Sequence, residues 1–343
     1  MDDLDSRVLR TASGWVSHGD PAALVTVVRT WGSAPRPPGS LMAIREGGDT
    51  VGSVSGGCIE DDLIHHIREG GVAAVCATGL PTLLRYGISA DQAHRFGLPC
   101  GGTMELAVEP LSSRSRLDEL LAACARRDHT ERLLNLKTGE VRLQAAASQA
   151  APQQDGVWLR TTFGPRARLI VIGAGDLSAF LCQMALGLGF EVIVCDPRAE
   201  HRSTWDVPGA TVSHEMPDDL ILRLQPDNRT AVVALTHDPK LDDLALIDAL
   251  QSQAFYVGAI GSRRNAAARA QRLQTHFGLL PADLQGLHSP AGLYIGSRTP
   301  AEIALSIMAQ VVAAKNGVDA APAPPVAQAS QTAAQMAPVP GAH

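Results

Sequence analysis

The chain has 343 residues, a length at which two domains are more common than one. Its apolar fraction of 45% is ordinary for a globular protein, and a formal charge of -6 without a basic stripe argues against a nucleic-acid-binding protein. No run approaches the roughly 18 apolar residues of a membrane helix, and the N-terminus lacks the apolar stretch of a secretory signal. The six cysteines form no CxxC pair and no disulfide framework, which predicts a protein of the reducing cytoplasm.

The first half predicts a mixed α+β domain, residues 1–130, because helical and alternating apolar patterns follow one another. The predicted elements are a helix at 4–18, a strand at 22–33, a proline-rich loop at 33–40, two strands within 41–56 around a Gly-Gly turn, a helix at 59–68, strands at 73–77, 82–86 and 104–108, and a helix at 113–127. Residues 131–165 predict a strand-rich connector.

The second half, residues 166–318, alternates buried strands with helices, which predicts a Rossmann-like, doubly wound parallel sheet. Its last helix carries a start signal in which Thr299 is the N-cap and Glu302 completes a capping box. Residues 319–343 consist of Ala, Pro and Gln with almost no charge and predict a disordered tail.

A glycine- and serine-rich segment, residues 52–57, leads directly into Cys58. Glycine permits positive φ and leaves backbone N–H groups accessible, so Gly56 and Gly57 are candidate contacts for an anionic ligand. Cys58 stands at a predicted helix N-terminus, which favours a thiolate, whereas the acidic residues at 60–62 disfavour one. Since these effects oppose each other, the sequence does not predict a strongly activated nucleophile.

A second cysteine beside a glycine pair occurs downstream, at Cys100, Gly101 and Gly102. Because thiols are soft ligands, Cys58 and Cys100 together favour a site for a soft metal or a sulfur-bearing ligand. A small buried cysteine beside a tight turn is the alternative for each, and no other metal site is predicted. The remaining cysteines lie in apolar patterns and are expected to pack in the core: Cys76, Cys124, Cys182 and Cys195.

A Rossmann motif begins with Gly173-Ala174-Gly175, between a predicted strand and a predicted helix. Asp196 ends the next strand, at about the spacing of a ribose-binding acid, whereas Ser178 replaces the third glycine of the motif. A bound dinucleotide is one interpretation, and inherited architecture or another nucleotide-like ligand is the other. Further candidate ligand contacts lie in loops or at strand ends: Arg36, Arg198, His237, Asp238, Gly261, Ser262 and Arg263. For the isolated arginines Arg36 and Arg198, a solvated surface charge is the alternative.

The chain carries eight motifs in order: WGSAPRPPGS (31–40), GSVSGGCIED (52–61), FGLPCGG (96–102), VIGAGDLS (171–178), CDPR (195–198), THDPKLDD (236–243), YVGAIGSRRN (256–265) and SPAGLYIGSRTPAEIALSIMAQVVA (289–313). Together they resemble the XdhC/CoxI family, accessory proteins of xanthine dehydrogenase and related molybdenum hydroxylases. The resemblance spans about 20–318, with an XdhC/CoxI domain in the first half and that family's Rossmann domain in the second.

The resemblance implies a molybdenum-cofactor chaperone rather than an enzyme. Such a protein binds molybdopterin or its cytosine dinucleotide form, protects it while a cysteine desulfurase supplies the sulfido ligand, and delivers it to an apo molybdenum hydroxylase such as xanthine dehydrogenase or aldehyde oxidoreductase. On this interpretation Cys58 and Cys100 meet the sulfur- and metal-bearing end, and the glycine turns and Arg36 meet the phosphate. A homodimer and a nucleotide in the Rossmann crevice are further expectations.

Two other functions stay open. The Rossmann pattern fits an NAD(P)-dependent oxidoreductase, although none of Tyr86, Tyr256 and Tyr294 is followed four residues later by Lys. Cys58 and Cys100 also fit a sulfur-transfer or redox protein.

Overall fold

The computed structural model describes residues 3–32, 35–76, 78–87, 103–147, 150–202 and 205–318, with the backbone alone at Cys58 and at 201–202. The predicted site residues Cys100, Gly101 and Gly102 lie outside these ranges, as does the predicted tail at 319–343. The chain divides into two compact units between Arg166 and Ala167. Within the described residues, no helix is long and apolar enough to cross a membrane.

The first unit is built on two antiparallel sheets. Its helices are α1 (Asp3–His18), α2 (Cys58–Gly70) and α3 (Leu117–Ala125), and its strands are β1 (Ala22–Trp31), β2 (Leu41–Arg45), β3 (Thr50–Gly52), β4 (Thr82–Tyr86), β5 (Thr103–Pro110), β6 (Thr130–Asn135), β7 (Val141–Ala145), β8 (Gln153–Gln154) and β9 (Trp158–Phe163). One sheet has the order β3-β2-β1-β5-β4 and the other the order β7-β6-β9-β8. The sequence therefore predicted the α+β class of this unit correctly.

Helix α2 is fixed against the five-stranded sheet by Ile59, Leu63 and Ile67. These residues are four positions apart, so they share one face of the helix, and all three are fully buried. Burying each side chain stabilises this packing by roughly 1.5–3 kcal/mol. Because Ile59 anchors the first turn, the glycine-rich segment before α2 ends at a rigid point.

Two sequence predictions in this unit were wrong. Residues 73–77 were expected to form a strand, but Val72–Ala74 is a 3₁₀-helix after Gly71, whose φ is 67°. The segment forms a turn in which the Cys76 N–H donates to the Val72 carbonyl (3.0 Å). An apolar run this short is compatible with either a strand or a turn, so the sequence pattern alone did not decide between them. The helix predicted at 113–127 is broken by Arg116, whose φ is 52°, so α3 begins only at Leu117.

The stretch 131–165 was expected to be a strand-rich connector. Its strands were predicted correctly, but with Thr130 they form the β7-β6-β9-β8 sheet inside the first unit rather than a link between units. Apolar residues of β6 and β9 explain this, because Leu134 and Leu159 are buried in a cluster with Val28 and Ala107 of the other sheet.

The second unit is a parallel sheet covered by helices. Its strands are β10 (Arg168–Ile172), β11 (Glu191–Cys195), β12 (Thr211–Ser213), β13 (Thr230–Ala234), β14 (Tyr256–Ala259) and β15 (Leu287–His288), and its helices are α4 (Asp176–Gly187), α5 (Ala199–Arg202), α6 (Pro217–Leu224), α7 (Pro239–Gln251), α8 (Arg263–Phe277) and α9 (Pro300–Lys315). The strand order is β12-β11-β10-β13-β14-β15, and every pairing is parallel.

Counted from its own first strand, this order is 3-2-1-4-5-6, the order of dinucleotide-binding Rossmann folds. The order reverses between β10 and β13, where ligands of such sheets bind at the carboxyl ends of the strands. Helix α9 begins as predicted, since Thr299 accepts from the Glu302 N–H (3.3 Å) and Glu302 accepts from the Thr299 N–H (3.0 Å).

Candidate functional site

The second unit brings nine of the predicted site residues to one edge of its sheet. We call this the carboxyl edge; it consists of the loops that directly follow β10, β11, β13 and β14. The parallel register sets the ends of these strands side by side. The residues placed there are Gly173, Gly175, Asp196, Arg198, His237, Asp238, Gly261, Ser262 and Arg263.

The loop after β10 makes a tight turn that only glycine accommodates at its first position. Gly173 has a φ of 106°, and a Cβ there would lie 2.9 Å from the Thr236 Cγ2 atom. Gly175 is the N-cap of α4, has a φ of -100°, and receives no side-chain cap. The first N–H groups of α4, which have no partner within the helix, therefore stay available to an anion at the positive end of its dipole.

Asp196 stands where a dinucleotide-binding protein presents a carboxylate to ribose, but its side chain is engaged within the protein. It is fully buried, and its Oδ2 atom accepts from the Ala174 N–H (2.9 Å) and from Arg198 Nη2 (2.9 Å). Its Oδ1 atom accepts from the Arg198 N–H (3.0 Å) and Arg198 Nε (2.9 Å). A carboxylate has about four lone-pair positions, so these four hydrogen bonds use its capacity.

The charge of Asp196 is stabilised by the same contacts. Burial alone raises the pKa of Asp196, but the hydrogen bonds from Arg198 and from the Ala174 N–H outweigh burial, and the pKa lies below its usual value. The side chain of Arg198 is 27% exposed, and two of its five side-chain N–H groups donate to this carboxylate. The pair therefore presents a guanidinium, not a carboxylate, at the end of β11.

The loop after β13 places His237 in a strained conformation. Its φ is 61°, in the left-handed region, and its side chain is exposed. The turn is held because the Asp238 N–H donates to Thr236 Oγ1 (2.9 Å), while the Asp238 side chain caps α7 by accepting from the Lys240 N–H (2.9 Å). Such conformations cost roughly 1–3 kcal/mol and often occur at functional positions.

A buried ion-pair network beneath this turn was missed by the sequence analysis. Asp242 accepts from Thr236 Oγ1 (2.7 Å) and lies 3.5 Å from Arg269 Nη2, while Asp243 accepts from Arg269 Nε (3.2 Å) and Arg272 Nε (2.8 Å). Burial raises the pKa of Asp242, although hydrogen bonds from Thr236 oppose this. The available signal was position: Asp242 lies four residues before the buried Leu246, within the apolar stripe of α7.

The loop after β14 caps the N-terminus of α8. Ser262 is the N-cap and accepts from the Asn265 N–H (3.2 Å), and Arg269 Nη1 donates to the Ile260 carbonyl (3.1 Å). Arg263 lines a cavity of about 300 Å³ with Ala266, Ala267 and Ser289 among its neighbours. The loop that was predicted to face a phosphate thus caps α8 and is contacted by Arg269.

In the first unit, the glycine-rich segment wraps around a carboxylate of the chain itself. We call residues 52–57 the glycine nest. Glu60 Oε1 accepts from Ser53 Oγ (2.7 Å) and from the N–H groups of Val54 (2.9 Å), Ser55 (2.8 Å) and Gly56 (2.9 Å). Glu60 Oε2 accepts from the Gly57 N–H (2.9 Å) and from the Ser55 hydroxyl.

Glu60 therefore occupies the anion cradle that Gly56 and Gly57 were predicted to offer a ligand. Burial alone raises the pKa of Glu60, but the donors of Ser55, Gly56 and Ser53 hold that pKa well below its usual range. The sequence analysis counted Glu60 only as an acid near Cys58. The signal was its place, three residues after the N-cap Gly57, where a glutamate turns back to the backbone before the helix.

The four cysteines expected in the core are buried, as predicted. Burial raises the pKa of Cys76 to about 11 and of Cys182 and Cys195 to about 12, so these thiols are unreactive at neutral pH. Cys58 begins α2, as predicted, directly after the nest. His65, on the same helix, is 65% exposed, and its side chain lies 3.4 Å from that of Glu69 at the surface.

Two family models match the chain, one to each unit. Residues 15–87 match the XdhC and CoxI family, and residues 169–311 match the XdhC Rossmann domain. The matches include the glycine nest and the loops of the carboxyl edge.

Relatives align over most of their own length. The molybdenum cofactor insertion chaperone PaoD of Escherichia coli is 27% identical over 322 residues, which cover 92% of this chain and 90% of that protein. A protein of Bacillus subtilis described as a probable component of xanthine dehydrogenase is 26% identical, covering 87% of this chain and 94% of that one. A crystal structure described as a xanthine dehydrogenase of Bacillus halodurans superposes with a TM-score of 0.74 at 25% identity, covering 94% and 98% of the two chains.

Proposed function

The chain belongs to the XdhC/CoxI family, and on that premise we propose that it is a molybdenum-cofactor insertion chaperone. It takes up molybdopterin or its cytosine dinucleotide form in the cytoplasm and shields it while a cysteine desulfurase supplies the sulfido ligand. It then hands the cofactor to an apo molybdenum hydroxylase of the xanthine dehydrogenase or aldehyde oxidoreductase type. The cofactor is the cargo of this protein rather than a resident group.

The observation that carries this proposal is the pair of family matches, supported by alignment to PaoD over nearly the whole length of both proteins. Both units of the relative are retained, so the protein is not a lone Rossmann domain that happens to share an architecture. A role that needs both units is the simplest account of that retention.

The carboxyl edge fits an anionic cargo. The uncapped N-terminus of α4 supplies N–H groups for a phosphate, and Arg198 adds a positive charge at the end of the neighbouring strand. Gly175 permits close approach, since a Cβ there meets nothing within 4 Å. We assign this edge to the nucleotide part of the cargo, with its diphosphate at the N-terminus of α4.

An NAD(P)-dependent oxidoreductase is the alternative that the fold raises, and Asp196 argues against its NAD-dependent form. Recognition of the ribose of NAD needs a carboxylate that accepts from its hydroxyls. Asp196 is buried and already accepts from Ala174 and Arg198, so it has no capacity for a ribose. The third function, sulfur transfer, depends on Cys58 and Cys100 acting chemically.

The proposal is tested by purifying the full chain from a host that makes the cofactor and from a matched host in which molybdopterin synthesis is disabled. Mass spectrometry and the fluorescence of oxidised pterin measure what co-purifies. We expect pterin only from the first host, and we expect the loaded protein to activate an apo-hydroxylase in vitro. A pterin-free sample from the replete host, with no effect on activation, would refute the proposal.

Single substitutions separate binding from sulfur transfer. Cys58→Ala and Cys100→Ala are each compared with Cys124→Ala, a buried cysteine that serves as the matched control. If the cysteines only bind, both changes lower pterin retention. If they transfer sulfur, retention persists while activation of the hydroxylase is lost.

A further inference from the structure

A small cavity in the first unit lies apart from the glycine nest. Its volume is about 180 Å³, and its wall is formed by the loop 36–40, by Ala150 and Pro152, by the end of β9 at Thr161–Phe163, and by Asp5. The loop is rigid, since Pro37 and Pro38 fix its backbone and Gly39 donates its N–H to the Val27 carbonyl (2.8 Å). The cavity therefore has a fixed shape set by secondary structure on both sides.

Arg36 brings an unsatisfied donor to this cavity. Its Nε atom is buried and has no hydrogen-bond partner, and among the described residues its guanidinium forms no ion pair. Buried polar groups in native proteins nearly always find a partner, and an exception points to a bound water, ion or ligand. Since the guanidinium is always charged, a partner that satisfies it best is an anion with coplanar or tetrahedral oxygens.

The other polar groups of the wall are mostly engaged already. Thr161 Oγ1 donates to the Arg132 carbonyl (3.3 Å), and Thr162 Oγ1 donates to the Ala150 carbonyl (2.7 Å). The wall also contains the acid Asp5, whose carboxyl group does not attract an anion. The attraction of the cavity for an anion therefore depends on Arg36.

The volume limits what can enter. One water molecule takes up about 30 Å³ of liquid, and pockets for drug-sized molecules have about 300–1,000 Å³. A cavity of about 180 Å³ is smaller than such pockets and accommodates a phosphate-sized oxyanion with a few waters.

From the orphaned donor and the size of the cavity we infer that Arg36 and the loop 36–40 form an oxyanion site for the phosphate-monoester end of a ligand. The assignment of that phosphate to the cargo rests on the proposed function, whereas the oxyanion site itself does not. Within that function, the site holds the phosphate of the cargo by charge-assisted hydrogen bonds from Arg36.

The test is a titration of the full chain with inorganic phosphate, followed by the backbone amide shifts of Ser40, Thr161 and Thr162. We expect these shifts to saturate, and we expect Arg36→Gln, which keeps a polar side chain but removes its charge, to weaken the affinity at least about tenfold. The matched control is Arg142→Gln, an exposed arginine of the same unit that pairs with Glu140. It should leave the titration unchanged.

Equal affinity in the protein and Arg36→Gln, or an equal loss in Arg142→Gln, overturns the inference and marks the phosphate as an adventitious ion only. Protein loaded with pterin distinguishes the source of the anion: if the cargo supplies it, loaded protein shows no phosphate-induced shifts. Pterin that co-purifies without any Arg36-dependent phosphate site refutes this inference and leaves the proposed function standing. An Arg36-dependent phosphate site in a protein that never carries pterin supports this inference and refutes the proposed function.

Discussion

Two glycine-rich turns, one in each unit, lead into a helix and look alike in sequence, yet the structure uses them differently. The glycine nest before α2 closes around Glu60, which accepts from the N–H groups of Val54, Ser55, Gly56 and Gly57. The turn before α4 gives one N–H group, that of Ala174, to Asp196, and no side chain caps the helix after Gly175. The N–H groups of the first turn are thus bound by a carboxylate of the chain itself, whereas the second turn leaves N–H groups accessible. We call the first the closed turn and the second the open turn.

Glycine-rich backbone therefore indicates where an anion binds, but not whether that anion is a carboxylate of the chain or an external ligand. In the first unit an internal carboxylate three residues into the helix reaches back to the turn. In the second unit the carboxylate that accepts from the turn, that of Asp196, follows another strand and is paired with Arg198. The first turn therefore stabilises the fold, whereas we propose that the second binds a ligand.

The largest expected effect concerns the buried ion-pair network beneath the turn after β13. Arg269→Met removes the cation that pairs with the buried Asp242 and Asp243. Asp243 keeps Arg272 as a partner, but leaving the buried charge of Asp242 unpaired costs about 3–5 kcal/mol, so urea unfolding followed by circular dichroism should show a loss of that size. Arg223→Met is the control, because Arg223 and Glu215 form an exposed pair whose loss costs about 0–1 kcal/mol. Equal losses in the two variants would mean that the network does not support the turn.

The closed turn should be the next most sensitive. Glu60→Gln replaces an acceptor of six hydrogen bonds by a neutral amide, which should lower the free energy of unfolding by about 2 kcal/mol, the scale of hydrogen bonds to a charged group. Amide hydrogen exchange at Val54–Gly57 should accelerate in parallel. Glu69→Gln, on the exposed face of α2, should change stability by less than about 0.5 kcal/mol. Unchanged protection of the nest in Glu60→Gln would contradict the closed assignment.

The same carboxylate predicts a pH dependence. The pKa of Glu60 in the folded protein lies below its unfolded value of about 4.3, so its stabilisation is complete above that value and is lost as the pH falls toward the folded pKa. Unfolding measured from neutral pH downward should show the gap between the protein and Glu60→Gln constant above about pH 5 and narrowing below about pH 4. A gap that widens on acidification would reverse the sign and exclude this origin.

Two alanine substitutions in the open turn should differ in their effect on stability. Gly173→Ala forces a side chain into a φ of 106° and within 2.9 Å of Thr236 Cγ2, and should cost about 1–3 kcal/mol. Gly175→Ala meets no atom within 4 Å at an allowed φ, so stability should change by less than about 0.5 kcal/mol. If a phosphate approaches this turn, Gly175→Ala should still weaken retention of the cargo. Full retention would place the ligand elsewhere.

The sequence was sufficient for features that local rules determine. The strand–turn–helix–strand pattern from Arg168 to Asp196 and the capping box of Thr299 and Glu302 were predicted and found, because each depends on neighbours within a few residues or on buried periodicity. The break at Arg116 was missed, since propensity alone does not reveal a left-handed residue inside a helical pattern.

The site was harder to predict because its outcome depends on which partner each polar group finds. Asp196 has the spacing of a ribose acceptor, and only the folded position of Arg198 and of the Ala174 N–H shows that it is engaged. Glu60 was counted as a charge near Cys58, whereas the loop folds around it. Arg36 could be nominated from its proline-rich loop, but only the structure shows its unpaired Nε atom and the cavity beside it.

The most direct measurement is a calorimetric titration of the full chain with isolated molybdenum cofactor under anaerobic conditions, with NAD and NADP as comparison ligands. We predict saturable binding of the cofactor at one per chain, weakened by Gly175→Ala, and no heat of binding for NAD. Binding of NAD that is lost in Asp196→Asn, together with no binding of the cofactor, would contradict the account.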